Sequence, residues 1–453
     1  MSARNVTDMT KGNTTRHLIT FALPLFLGNI FQQFYNMIDS LVVGKYVGSD
    51  SLAAIGTCSS VNFLFVSLSM GLANGIGIIV AQYFGANDEK GIRKTIANAY
   101  YLIIGAALIA TLLGLFIAHP LLSLMSTPDE IMPEAVLYLR TTVCGIIFIA
   151  LYNSVAAVLR ALGDSKTPLY FLIMSSFINV GLDLLFVLVF RLGVFGAALA
   201  TIIAQFISAS VSLIYAFKKV PYYHPEKGVL KPHKDIIYNS FRLGIPMALQ
   251  SSLIAISMIV LQGVVNGFGA TVMAAYTISA KVDLIISQLY NAISFSLVTY
   301  SGQNFGAGRL GRIKEGYKRG VIIVTVYNLV LVPLIWILSR QIASIFVNDA
   351  EVIELCTKAL RITGVMYFAL GLIYVPRGVL NGCGDAAFSM INGVSEVICR
   401  IAYSHIFTAI AFIGVWGIWW AAGLTWFTVA IICNIRYFVG SWKKRLPAEA
   451  LNS

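Results

Sequence analysis

Two carboxylates stand where a carboxylate is hardest to keep. Asp39 and Asp183 each fall inside a long apolar run. Asn179 precedes Asp183 by four residues, which on a helix puts amide and acid on one face. Thr201 adds a hydroxyl in the following run. An ionisable group at membrane depth costs roughly 2.5 kcal/mol or more, so each needs a reason to be there. This half of the chain offers the two acids no Lys or Arg at mid-run. Buried acids without a buried base take up a proton or a metal cation. Desolvation favours the proton. Carboxylate, amide and hydroxyl oxygens equally suit a hard ion such as Na⁺. Gln32 lies two turns before Asp39 on the same face, and Tyr138 and Asn153 share another apolar run. These three could surround the acids or line a cleft.

The second half is charged differently. It carries Lys281 and Asp283 in one run, and Glu396 and Arg400 in another, one helical turn apart. Their charges sum to zero. That set reads either as a structural network or as a gate or substrate-facing network.

The elements that must hold these residues are membrane spans. Of 453 residues, 58% are hydrophobic and only 11% charged, which excludes a water-soluble globule and a disordered chain. The net charge of +12 could suggest nucleic acid, but the basic residues sit mostly in short loops between apolar runs. Twelve spans are expected, at about 17–43, 52–84, 95–118, 134–159, 168–190, 194–217, 236–266, 271–301, 316–338, 353–379, 387–411 and 414–439. Alternate loops hold most of the Lys and Arg, whereas the other set holds only Lys45, Arg191, Arg340 and Lys358. That bias predicts both termini in the cytoplasm. The first run is too long for a signal-peptide core and reads as a first transmembrane helix. The six cysteines form no Cys-x-x-Cys pair and read as small buried hydrophobes, and the scattered histidines show no metal-binding spacing.

The chain also repeats itself. Gln82, Gly85 and Ala86 match Gln303, Gly306 and Ala307, 221 residues on. Gly163-Asp164 matches Gly384-Asp385, and Gly193 and Gly196 match Gly414 and Gly417, at the same offset. Pro24 matches Pro246 at 222. Six spans per copy is an even number, so the copies enter the membrane in the same sense, as a parallel repeat. The expected layout is an all-α membrane protein of 6+6 helices: an N-terminal lobe over 1–217, a cytoplasmic linker over 218–235, and a C-terminal lobe with a short tail over 236–453. The repeat is also an internal control. Asn179, Asp183 and Thr201 map to Arg400, Ser404 and Ala422, and Asp39 maps to Leu261. The acidic set belongs to the first copy alone.

Pro24, Asp39, the Val42-Val43-Gly44…Gly48 stretch, Leu52-Ala53-Ala54, Gln82 to Ala86, and Arg160 to Asp164 together resemble the multidrug and toxic compound extrusion (MATE) family. The resemblance covers about residues 16–440. It implies an antiporter in which a cytoplasmic organic cation or other amphiphile leaves as H⁺ or Na⁺ enters. It also implies that Asp39, Asn179, Asp183 and Thr201 match the N-lobe cation site. Some members hold Na⁺ in the C-lobe through acids on helices 7 and 10. Here helix 7 has none after Asp235, and Glu351 and Glu354 lie at the outer start of helix 10, so coupling is expected through the first lobe. No cofactor is expected beyond the coupling ion. The expected partners are small amphiphilic or cationic compounds and the lipid bilayer, not nucleic acid, with a functional monomer in a bacterial or archaeal inner membrane.

Three other functions compete. A lipid-linked-precursor flippase of the same superfamily would need a basic cleft for diphosphate, which the mid-run acids of the first half disfavour. Gly382-Cys383-Gly384-Asp385 spells an intramembrane aspartyl-protease motif, but its duplicate at Gly163-Asp164 makes it a loop turn or cap. No catalytic residue is therefore expected. A scaffold or receptor would have no use for bare acids at membrane depth.

Overall fold

Long apolar runs fold as helices because lipid offers no partner for a backbone amide, so each segment must satisfy its own. The computed structural model describes residues 6–125, 127–224, 231–440 and 442–443, less the side chains at 39–41 and 49. Its helices are α1 (Thr14–Tyr46), α2 (Ser49–Gly85), α3 (Glu89–Leu124), α4 (Met132–Cys144), α5 (Ile146–Ala161), α6 (Lys166–Asp183), α7 (Gly193–Lys219), α8 (Lys234–Asn266), α9 (Ala270–Gly306), α10 (Leu310–Phe346), α11 (Ala350–Gly382), α12 (Ala387–Ala409) and α13 (Gly417–Val439). A π-helical segment, Leu184–Val189, continues α6, and a 3₁₀ turn, Gly414–Trp416, opens α13. Counting α4 with α5, and α6 with its π segment, the described residues hold twelve long helices.

Ten of these are long and apolar enough to cross a membrane, or eleven with α4 and α5 taken as one span bent by 43°. The remaining one, α12, carries Glu396 and Arg400 among Ser and Asn residues. Large side chains cover the outer surface, with Phe116 78%, Ile345 78% and Phe412 95% exposed. In water such a surface would drive association; in lipid it is the solvated face.

The chain forms two compact units. The first holds Leu23–Ala248 with the N-terminal residues up to Asp8, and the second holds Met9–Ala22 with Leu249 onward. In the first unit, Leu72, Ile76, Ile92, Ile103, Leu139 and Val158 belong to one buried core. Two glycines one turn apart, Gly71 and Gly75 on α2, let α8 approach: a Cβ at Gly75 would lie 2.8 Å from Gly244 N and 2.8 Å from Ser240 O. This is the small-xxx-small solution for packing helices where the hydrophobic effect cannot press them together. Gly75→Leu is expected to cost more than about 4 kcal/mol, because backbone rather than a movable side chain blocks the new atoms. Loss of the monodisperse peak in detergent would record it; an unchanged peak would refute the packing argument.

Part of the linker, 225–230, lies outside the described residues. Its flanks are tied to α3: Arg93 Nη1 donates to Pro221 O (3.0 Å) and His224 O (2.9 Å), and His233 N donates to Asn98 Oδ1 (2.8 Å).

In the second unit the opening segment is held by α9 and α10. Met9 N donates to Gln303 Oε1 (2.8 Å), Asn304 Nδ2 to Met9 O (3.2 Å), and Arg312 Nη1 to Gly12 O (3.1 Å).

The two copies agree at their turns. Positive φ occurs at Gly48 and Gly269, at Asn87 and Gly308, at Gly163 and Gly384, and at Gly193 and Gly414. Each pair is 221 apart, so the repeat seen in sequence is also a repeat of backbone conformation. The Gly-Asp turns serve structure in both copies. Asp164 caps α6, accepting from Lys166 N (3.1 Å) and Thr167 N (3.0 Å). Asp385 accepts two bonds from Arg436 (2.9 and 3.1 Å).

Two differences between the copies bear on the site, and both irregularities lie in the first. The span expected over 134–159 as one helix bends at Gly145 between α4 and α5, whereas α11 is unbroken. A Cβ at Gly145 would come 2.9 Å from Cγ1 of Ile202 on α7, so the bend and the bare backbone together admit α7. The second irregularity is the π segment directly after Asp183, where α12 stays α-helical.

Candidate functional site

α6 runs as a regular helix to its last residue, Asp183, and the backbone then widens into the π form. Such insertions interrupt the regular hydrogen bonding of a helix and are frequent at functional positions. Asn179 and Asp183 are 2% and 1% exposed. Thr201 comes from α7: Asn179 Nδ2 donates to Thr201 Oγ1 (3.5 Å), and Thr201 Oγ1 donates to Ala197 O (3.1 Å). Amide and hydroxyl thus meet between two helices, with the carboxylate one turn further along α6.

α1 joins the same group. Phe31 lies 5.7 Å from Phe177 of α6, ring to ring, and Val42 and Val43 cluster with Val187 of the π segment and Ala197 of α7. Asp39 lies on α1 one turn before Val43. Its side chain lies outside the described residues, so what the fold supplies is the backbone position. Gln32 is exposed on α1, Tyr138 packs against the unit's apolar core, and Asn153 is half-buried on α5.

The second unit gathers its charges otherwise than sequence suggests. Arg400 Nη2 donates to Glu396 Oε1 at 2.6 Å, with the two residues 4% and 7% exposed. Asp283, half-buried on α9, accepts from Tyr367 of α11 at 2.5 Å and is close enough to Arg400 for their charges to interact. Lys281 does not join them. It is exposed, with its ammonium 5.8 Å from the Phe346 ring centroid. Residues two apart on a helix project about 200° apart, so one face cannot hold both Lys281 and Asp283. The expected neutral set of four is therefore corrected to Asp283, Glu396 and Arg400, with one negative charge in excess.

Against this geometry, comparison with known proteins is direct. The family model MatE matches residues 24–185 and again 246–406. The chain belongs to the MatE family. The two matches begin 222 apart and end 221 apart, so the model finds each copy separately. A MATE fold also follows from a solved structure described as the outward-facing conformation of a multidrug resistance MATE family transporter of the MOP superfamily, with a TM-score of 0.91 and 22% identity, over 98% of this chain and 100% of that one. Among relatives, the chain is 31% identical to the probable multidrug resistance protein YpnP of Bacillus subtilis, covering 96% of this chain and 97% of the relative. It is 23% identical to the probable multidrug resistance protein NorM of Thermotoga maritima, covering 95% and 93%. This MatE chain is a multi-pass membrane protein of a multidrug efflux transporter family.

Besides the bend at Gly145, two features of the MATE frame escape the sequence reading. One is Tyr367, the donor to Asp283. The 221 offset holds the signal: Asp283 maps to Asn62 and Thr363 to Thr142. Thr142 Oγ1 donates to Asn62 Oδ1 (3.0 Å), while Thr363 Oγ1 shares a 3.4 Å hydrogen bond with the Tyr367 hydroxyl, in a chain that ends on Asp283. The same corner of each copy is hydrogen-bonded, with an acid in place of an amide in the second. The other feature is the π segment, for which Leu184–Val189 offers no polar or glycine signal.

Proposed function

We propose that this chain is an antiporter that exports amphiphilic or cationic compounds by alternating access, driven by entry of H⁺ or Na⁺ through the first unit. The observation that carries the reading is Asp183: a carboxylate buried to 1% exposure, one turn from the Asn179–Thr201 pair, at a helix irregularity that the second copy lacks. Asp39, on the packed end of α1, is the second carboxylate of the proposed ion site. Loading of the ion and binding of the exported compound must have opposed preferences for the outward state, since exchange is a coupling between two sites. The chain is placed in the cell's inner membrane with both termini cytoplasmic, a reading supported by the loop distribution of Lys and Arg. It works as a monomer, without cofactor, nucleic acid or catalytic step.

Ethidium uptake into liposomes holding the purified protein tests the coupling, under an imposed H⁺ or Na⁺ gradient. Transport driven by one gradient in the wild type and reduced to the protein-free level in Asp39→Asn is the expected result. Gradient-driven transport that Asp39→Asn leaves intact would remove Asp39 from the mechanism. No gradient-driven movement of ethidium in either would count against export of this class of compound.

A further inference from the structure

The repeat is a control for packing as well as for charge. A groove of about 370 Å³ runs along the second unit between α11 and α13, lined by Phe368, Ala369 and Leu372 on one side and by Phe427, Ile435 and Phe438 on the other. Those last three side chains are each more than half exposed, so the groove opens on the lipid-facing surface. The polar side chain in its wall, Asn434, is already engaged. Its Oδ1 accepts from the Tyr317 hydroxyl of α10 (2.5 Å), and its Nδ2 donates to Ala430 O (2.7 Å) and Leu372 O (3.3 Å). What the groove offers an occupant is hydrocarbon surface.

In the first copy the same place is filled. At the 221 offset Ala369 maps to Phe148 and Phe427 to Phe206. Those two rings meet edge to face at 5.1 Å. Alanine at 369 takes one ring away, and the groove stands where the first copy has a contact. The end of the groove where α13 stops is marked by charge. Lys443 Nζ donates to Phe438 O (3.1 Å), which fixes an ammonium at the mouth with donors to spare. Tyr317 lies 5.7 Å from the Phe438 ring, and Lys314, one turn earlier on the same face of α10, is exposed. Glu315 pairs with Arg319 and Asp385 with Arg436, and among the described residues neither Lys314 nor Lys443 has a carboxylate partner. The first copy again differs: Lys314 maps to Arg93, which is spent on Pro221 O and His224 O. From Phe427 to Val439 the groove follows twelve residues of α13. That is about 18 Å, close to the roughly 15 Å of one hydrocarbon leaflet. An apolar groove one leaflet deep that ends in two cations fits a lipid with an acidic head, and it sets a cationic amphiphile against like charge.

We infer that this groove binds an anionic phospholipid of the leaflet on the side where the chain ends. One acyl chain lies between α11 and α13 over Ala369, and the phosphate takes Lys443 and Lys314. The site belongs to the second copy, and it does not depend on which ion or compound the chain carries.

Quenching by brominated lipid reads the site directly. Ile435→Trp places an indole on the groove wall, and Ile214→Trp places one at the equivalent point of the first copy; both positions are more than half exposed. The full chain is reconstituted in bilayers of phosphatidylcholine and phosphatidylglycerol with the bromine on one lipid or the other. Quenching of the six native tryptophans, measured in the parent chain, is subtracted. At the groove indole, phosphatidylglycerol is expected to bind about tenfold more tightly than phosphatidylcholine, within the roughly fivefold that each lysine near a membrane surface supplies. At the first-copy indole, which has Lys218 and Lys219 nearby in sequence but a ring in place of the groove, the preference is expected to be at least about fivefold smaller. Adding Lys314→Gln and Lys443→Gln to Ile435→Trp is expected to bring its ratio down to that of Ile214→Trp. Ala369→Phe, which restores the first copy's ring, is expected to do the same. Should Ala369→Phe fail to fold, the lysine variant, changed only at the surface, still decides. Equal ratios at the two indoles would show general enrichment of acidic lipid around the protein and overturn the proposal. A ratio unmoved by the lysine changes, or by a folded Ala369→Phe, would overturn it too, as would stronger quenching of the groove indole by a brominated alkylammonium than by phosphatidylglycerol.

Discussion

In cells expressing Asp183→Asn at the wild-type membrane level, ethidium is expected to accumulate as in cells without the transporter. The amide keeps the size and most of the hydrogen bonding of the acid, and it sits in a site closed to 1% exposure. What it removes is the group that can change charge. Asp183 is the last α-helical residue before the π segment, and Asn179 and Thr201 already form a pair beside it. The expected loss is to background rather than partial, because an exchanger that cannot load its ion cannot return. Two comparisons isolate the cause. Asp183→Glu, which restores a titrating carboxylate on a longer stem, is expected to recover part of the efflux. Ser404→Ala, which removes the polar group at the equivalent place in the second copy without enlarging it, is expected to leave efflux within about twofold. Retained efflux in Asp183→Asn would sink the assignment of the first-unit site.

The second large effect concerns folding. Arg400→Gln strands Glu396, at 7% exposure, without its guanidinium. Breaking a buried pair from one side costs about 3–5 kcal/mol, whereas removing both partners is often close to neutral. Arg400→Gln alone is therefore expected to lower the thermal midpoint in detergent clearly, and Glu396→Gln/Arg400→Gln to recover most of the loss. A double variant no more stable than the single one would show that the cost lies in lost packing rather than in the uncompensated charge.

Sequence made the repeat legible because turns leave identities behind. Gly163, Gly193, Gly384 and Gly414 all need a backbone that side chains resist, and they kept both residue type and spacing. The first-unit acids were legible for a related reason: an acid in an apolar run has few bland explanations, and Asn179 to Asp183 is one helical turn. The charges of the second unit were legible as residues but not as a network. Lys281 counted as a partner of Asp283 by proximity along the chain, and only the helix direction separates them. Tyr367 was hidden because an aromatic in an apolar helix looks the same whether it packs or donates. The bend at Gly145 and the π segment were hidden because both depend on what α7 brings against them, which no local pattern records.

The division of α1 and α8 bears on whether the two copies can stand apart. The start of the first copy's opening helix, Thr14–Ala22, is counted with the second unit, and the start of the second copy's, up to Ala248, with the first. Each unit is therefore assembled from both copies of the repeat. A single copy expressed alone would lack a segment of either unit, so cutting this chain at the repeat boundary would leave both halves short of the helix start that the other copy supplies.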